Sequence, residues 1–146
     1  MPESVSHKID TALKSLAHDG ELSIRISGNC MQPLIMDGAL VCVQKQAVYW
    51  PGDVLVKRNS VGQLIAHRLI GFYPRRGKLY FVCRADNAQI ADAAVAGAQI
   101  IGRVSGGECS KSVVSVPLGH RIRAIGQFTL LATRGLARRL AKILRS

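Results

Sequence analysis

Leu22-Ser23-Ile24-Arg25-Ile26-Ser27 runs directly into Gly28-Asn29-Cys30-Met31-Gln32-Pro33, and this stretch decides how the chain is read. In its first half apolar and polar residues alternate, the period of a strand with one buried face. The second half cannot continue that strand, because Gly28 frees the backbone and Pro33 carries no N–H. The pattern predicts a half-buried strand that breaks into a shaped turn, with Cys30 on the turn. The same grammar repeats downstream. Leu40 to Val43, Val54 to Val56, Gln63 to Phe72, Lys78 to Cys83, Gln99 to Val104 and Val113 to Val116 read as short strands. Pro51-Gly52-Asp53 and Tyr73-Pro74-Arg75-Arg76-Gly77 read as turns, the second as a hairpin loop. The expected fold is mainly β: a small curled antiparallel sheet or partly closed barrel.

At both ends the period changes to that of a helix. Val5, Ile9, Ala12, Leu13, Leu16 and Ala17 recur at helical spacing, and Gly20 ends the run. Near the other end Ile125, Phe128, Ala132, Leu136, Leu140 and Ile143 share one helical face, with Arg134, Arg138, Lys142 and Arg145 opposite. The predicted organisation is an amphipathic helix over 1–20, a β domain over 21–117 and a basic amphipathic helix over 118–146.

The chain has 146 residues, 48% of them hydrophobic, which suits a globular domain and argues against disorder. Eight of the net +11 charges lie between Lys111 and Ser146, where there is no acid, so the first 110 residues carry only +3. Cys30, Cys42, Cys83 and Cys109 form no Cys-x-x-Cys and no zinc spacing, so no metal or cofactor is expected. Cys42 and Cys83 sit in apolar strands, where a thiol packs as a small hydrophobe. The N-terminus lacks the apolar stretch of a signal peptide, and no run approaches the ~20 apolar residues of a membrane span. The chain reads as cytoplasmic, soluble or lying on a membrane surface.

The candidate chemistry is acyl transfer. Cys30 on its turn is a thiol whose own N–H can face a developing oxyanion, with Gly28 shaping the approach. Met31 beside it either packs inward or lines a substrate groove. His67 lies in the apolar run Leu64 to Ile70, on the strand face shared by Ile65 and Leu69. An imidazole beside a thiol converts it to the nucleophilic thiolate. Asp86 and Asp92 occupy a loop of small residues. They read either as turn and capping residues or as the carboxylate that orients a base histidine. His120, in the C-terminal helix, reads as solvent-facing, and Asp53 as a turn residue.

Gly28-Asn29-Cys30-Met31-Gln32-Pro33 resembles the Gly-x-Ser-Met-x-Pro nucleophile box of the S24/S26 peptidase superfamily, which holds signal peptidase I and the self-cleaving LexA-type repressors. Further boxes follow in the family's order. Gly52-Asp53-Val54 matches a strand start, and His67-Arg68-Leu69 is similar to the His-Arg-Val of the endoplasmic-reticulum and archaeal enzymes. Arg84-Ala85-Asp86-Asn87 is similar to the Lys-Gly-Asp-Asn box, Asp92 to a further Asp, and Ile101-Gly102-Arg103-Val104 to a closing Ile-Gly-Lys-Val. The departures are Cys30 for serine, Ala39 for the Asp of a Gly-Asp turn at Gly38, and Ala85 for glycine. The resemblance implies a peptidase cleaving a peptide or protein precursor laid along the strand edge near Ser23 to Ser27. Cys30 is then the nucleophile and His67 the base, with Asp92, or else Asp86, orienting it. The competing readings are a catalytically inactive peptide-binding member of the fold and a nucleic-acid-associated regulator of the LexA kind. The short N-terminal segment and the lack of a basic, aromatic-rich strand face argue against nucleic acid. Residues 119–146 are expected to dock on a membrane surface or a partner, or else to pack on the domain with their basic face solvated.

Overall fold

The alternation around Ile24 produces the expected strand, β1 (Leu22–Arg25), in which Ile24 is buried while Ser23 and Arg25 face solvent. The structure is a computed structural model describing residues 5–145, with side chains from Lys8 onward. Before β1 runs α1 (Val5–Asp19); residues 1–4 of the helical segment expected over 1–20 lie outside the described residues. Among the described side chains of α1 only Ala17 is fully buried, and an Arg58–Asp10 ion pair at 2.8 Å fastens the helix to the sheet.

β2 (Leu40–Gln44), β3 (Val54–Arg58), β4 (Leu64–Arg75), β5 (Lys78–Arg84), β6 (Val95–Ala96) and β7 (Ile100–Gly107) complete a seven-stranded sheet. The order is β1-β2-β7-β3-β4-β5-β6, with every pairing antiparallel. Beyond β1, Ser27 N–H donates to Leu64 O at 3.0 Å. That bond joins the first strand to the start of β4 and curls the sheet into a half-barrel. Its interior is filled by Ile24, Ile26, Met31, Val41, Val43, Val54, Val56 and Ile101 among others. A second cluster, with Tyr49, Leu55, Leu69, Phe81 and Cys83, lies against the other face of β3 and β4.

Two expectations are corrected. The hairpin loop expected over 73–77 is narrower, because β4 and β5 pair as far as Arg75↔Lys78 and leave Arg76 and Gly77 to turn. Both have positive φ, 50° and 71°, the backbone of the tight turn that matches strand twist. Val113 to Val116, expected as a strand, instead follows a single helical turn, α2 (Lys111–Val114). Only Val113 of its valines is buried, plugging the barrel interior, so one inward contact overrides β propensity.

α3 (Leu118–Ile143) crosses the sheet next to β4. Ala124 and Phe128 make that contact against Ile70, Val82 and Tyr73. A Cβ placed on Gly71 would stand 2.2 Å from the Phe128 ring, so the ring lies directly on bare backbone. Asp53 is more than the turn residue expected. Buried at 2% exposure, it caps Trp50 N–H and pairs with Arg121 of α3 at 3.1 Å and Arg103 at 3.5 Å.

Candidate active site

The β3–β4 register sets the chemistry. His67 pairs with Leu55 and Lys57 with Ile65, so Lys57 and His67 project diagonally from one face of the sheet. Asp92 arrives from the loop after β5, held by its N–H donating to Cys83 O at 2.8 Å. Its Oδ2 accepts from His67 Nδ1 at 2.5 Å and from Lys57 Nζ at 2.7 Å. Burial works to raise the Asp92 carboxyl, but the hydrogen bonds from His67 and Lys57 outweigh it and hold the group below its ordinary value. An ionised carboxylate only accepts, so Nδ1 carries a proton, and in the neutral ring the lone pair lies on Nε2. His67 Nε2 is buried and has no hydrogen-bond partner.

Cys30 sits where the sequence places it, on the turn after β1. Asn87 holds that turn from two sides: its N–H donates to Cys30 O at 3.3 Å and its Nδ2 to Asn29 O at 2.8 Å. With Ser27 bound to Leu64, the turn is tied to β4 and to the loop after β5, the two segments that carry His67 and Asp92. The thiol is half-buried and free, and it makes no hydrogen bond to His67. Its own N–H makes no hydrogen bond within the described residues.

Gly28 adopts φ 91°, a left-handed backbone that favours glycine, and a Cβ there would make only an ordinary 3.7 Å contact with Cys30 Sγ, so the turn rather than crowding selects glycine. Its N–H is spent on Asp37 Oδ1 at 2.7 Å, which removes it as an oxyanion donor. Met31 packs inward: it is 2% exposed within the barrel core, not in a groove.

Asp86 does not reach His67. Strand alternation turns Arg68 to the opposite face, where Asp86 takes its guanidinium with two hydrogen bonds, at 2.8 and 2.7 Å, while Arg68 also donates to Gly52 O. This pair braces the Asn87 turn, and so acts on Cys30 only through the backbone. A cavity of about 280 Å³ opens beside it, between Pro33, Arg68, Arg84 and the α3 residues His120 and Arg123. His120 is half-buried rather than solvent-facing, with a buried Nδ1 that has no partner. Among the described residues no group of three or more His, Cys, Asp or Glu side chains is gathered to hold a metal ion.

Lys57 was not among the residues the sequence singles out. The signal was there: Val54-Leu55-Val56-Lys57 is a buried strand ending in a lysine, and its phase puts that lysine on the face of His67 once β3 and β4 pair.

A curled antiparallel half-barrel, carrying a thiol on the β1–β2 turn and an imidazole–carboxylate pair at β4, defines a peptidase-type β fold of the LexA and signal-peptidase class. The Peptidase S24-like family matches residues 3–105, and the chain belongs to that family. The match ends before α2 and α3. A search of curated proteins gave no match.

Proposed function

We propose that the chain is a peptide-bond hydrolase in which Cys30 is the nucleophile and His67 the general base. The observation that carries this reading is His67 itself. Its Nδ1 is committed to an ionised Asp92, and its buried Nε2 has no hydrogen-bond partner. Most buried side-chain nitrogens have a partner; His67 satisfies only the nitrogen that fixes its orientation.

Nε2 takes the proton from Cys30 Sγ, and the sulfur attacks the scissile carbonyl carbon. The Cys30 N–H donates to the oxyanion as it forms. Collapse breaks the C–N bond, Nε2 returns the proton to the departing amine, and a thioester remains. Water, deprotonated by the same Nε2, releases the acid and restores the thiol. Asp92 stays ionised throughout, and Lys57 holds its oxygen in place. The substrate is an extended peptide that adds to the outer edge of β1, alongside Ser23 to Arg25. Ser27 N–H is already bound to Leu64, which limits the length of that edge.

The missing Cys30–His67 bond favours a second reading, a peptide-binding domain that does not cut. Digestion of a mixed peptide library, with products mapped by mass spectrometry, separates the two. The proposal predicts cleavage that disappears in Cys30→Ala, with a thioester trapped by hydroxylamine in the parent. Binding without cleavage, equal in both proteins, would assign the second reading.

A further inference from the structure

α3 is far longer than the contact that holds it. Its 26 residues span about 39 Å at 1.5 Å per residue, yet every residue from Thr129 to Arg145 is exposed. Only Ala124 is fully buried, and Phe128 and Arg121 complete the attachment. The apolar strip of the helix is a different face. Leu118, Ile122, Ile125, Leu136, Leu140 and Ile143 lie between 51% and 72% exposed. Thr129 and Ala132 fill the gap between the two groups, so one strip runs the length of the helix. At about 100° per residue it lies roughly a third of a turn from the line of Ala124 and Phe128. Arg134, Arg138 and Arg145 project from the side opposite the strip, and Arg139 flanks it. Large aliphatic side chains in one exposed row mark an interaction surface.

We propose that α3 docks on an anionic lipid surface, lying in the plane of the interface with this strip in the acyl boundary. Charge selects the occupant. Residues 111–146 carry eight Lys/Arg and no acid, so the strip is presented by a strongly cationic helix. An anionic bilayer supplies both the apolar depth and the opposite charge. The helix lies on the bilayer and does not enter it, since no helix among the described residues is long and apolar enough to cross a membrane. Docking also orients the site. His120, Arg123 and Gln127 line the cavity beside Pro33, and they occupy the side of α3 away from the strip. The nucleophile turn therefore stays on the water side of a docked molecule. The inference rests on α3 alone and stands whether or not Cys30 cuts peptides.

Flotation of the full chain with vesicles tests it, using phosphatidylcholine alone and phosphatidylcholine with an equal part of phosphatidylglycerol. The protein is expected to float with the anionic vesicles only, and to be released as salt rises. Leu136→Asp with Leu140→Asp, and separately Arg134→Glu with Arg138→Glu, are each expected to weaken binding at least about tenfold. All four residues are exposed, and an unchanged melting temperature confirms that the variants fold. Failure to float with anionic vesicles at low salt overturns the proposal, as does flotation indifferent to the leucine changes. A dimer in light scattering that the leucine changes dissolve would give the strip to a second copy. Capture of an acidic amphipathic peptide by a protein that ignores both vesicles would give it to a protein partner.

Discussion

His67 Nδ1 stands 2.5 Å from Asp92 Oδ2, and the same oxygen accepts from Lys57 at 2.7 Å. One carboxylate oxygen thus fixes the ring and leaves Nε2 as the only nitrogen able to take a proton. Replacing Asp92 with Asn, which presents either an oxygen or an NH2 to the ring, removes that certainty of tautomer. Asp92→Asn is expected to lower kcat by about 10²–10⁴ with little change in KM, because Asp92 orients the base and does not touch substrate. Steady-state kinetics on a peptide identified by the library digest check this; an unchanged kcat would remove Asp92 from the machinery.

The same carboxylate should leave its mark on stability against pH. Its folded pKa is depressed, so its contribution is present above the unfolded value of about 3.9. As pH falls below that value the unfolded chain takes a proton that the folded chain does not, and the contribution drains away until pH passes the folded value. The difference in Tm between the parent and Asp92→Asn should therefore shrink as pH falls below about 4. A gap that is constant down to pH 2.5, read by calorimetry, would contradict the assignment.

Lys57 is buried, with Asp92 as its partner. Lys57→Met keeps the apolar stem and removes the ammonium, leaving Asp92 with one donor. The variant is expected to fold with a loss of about 1–3 kcal/mol and to lose about tenfold in kcat at unchanged KM. Denaturant titration and kinetics read the two effects separately. A purely structural lysine would give the stability loss with full kcat.

Gly71→Ala tests how α3 is held. The added Cβ would meet the Phe128 ring at 2.2 Å, with strand backbone behind it, so the ring must leave. A cost of about 1–3 kcal/mol is expected, with Phe128→Ala in the same background adding less than it does alone. Strict additivity would show that the two residues do not share this contact.

Much of this molecule was legible beforehand because its strands are short and two-period. Ile24 and Ile26 inward with Ser23 and Arg25 outward is burial written directly into residue order. The opposite facing of His67 and Arg68 follows from the same alternation. What sequence order could not show was which loop meets which face. Asp86 and Asp92 are near neighbours in one loop, yet Arg68 claims the first and His67 the second, and only the folded loop sorts them. Lys57 joined the site through strand register, a long-range property. Val113 misled because β propensity is weak where a single side chain fills a core. In α3 the period groups Ile125, Leu136, Leu140 and Ile143 as expected, but Phe128, expected on their face, packs beside Ala124 on another; periodicity does not say which apolar residues find a partner. Phe128 does, through the bare backbone of Gly71, while Leu136 and Leu140 do not.

Activation of Cys30 by His67 is read directly from the rate of Cys30 alkylation by iodoacetamide near pH 6.5, followed by mass spectrometry. Cys83 serves as the inert internal reference, since burial pushes its thiol up to about 12. Only the thiolate reacts, and an ordinary thiol with pKa near 8.5 is about 1% ionised at that pH. Cys30 in the parent is expected to react at least about tenfold faster than in His67→Ala. Equal rates in the two proteins would contradict it and leave the half-barrel as a peptide-binding domain.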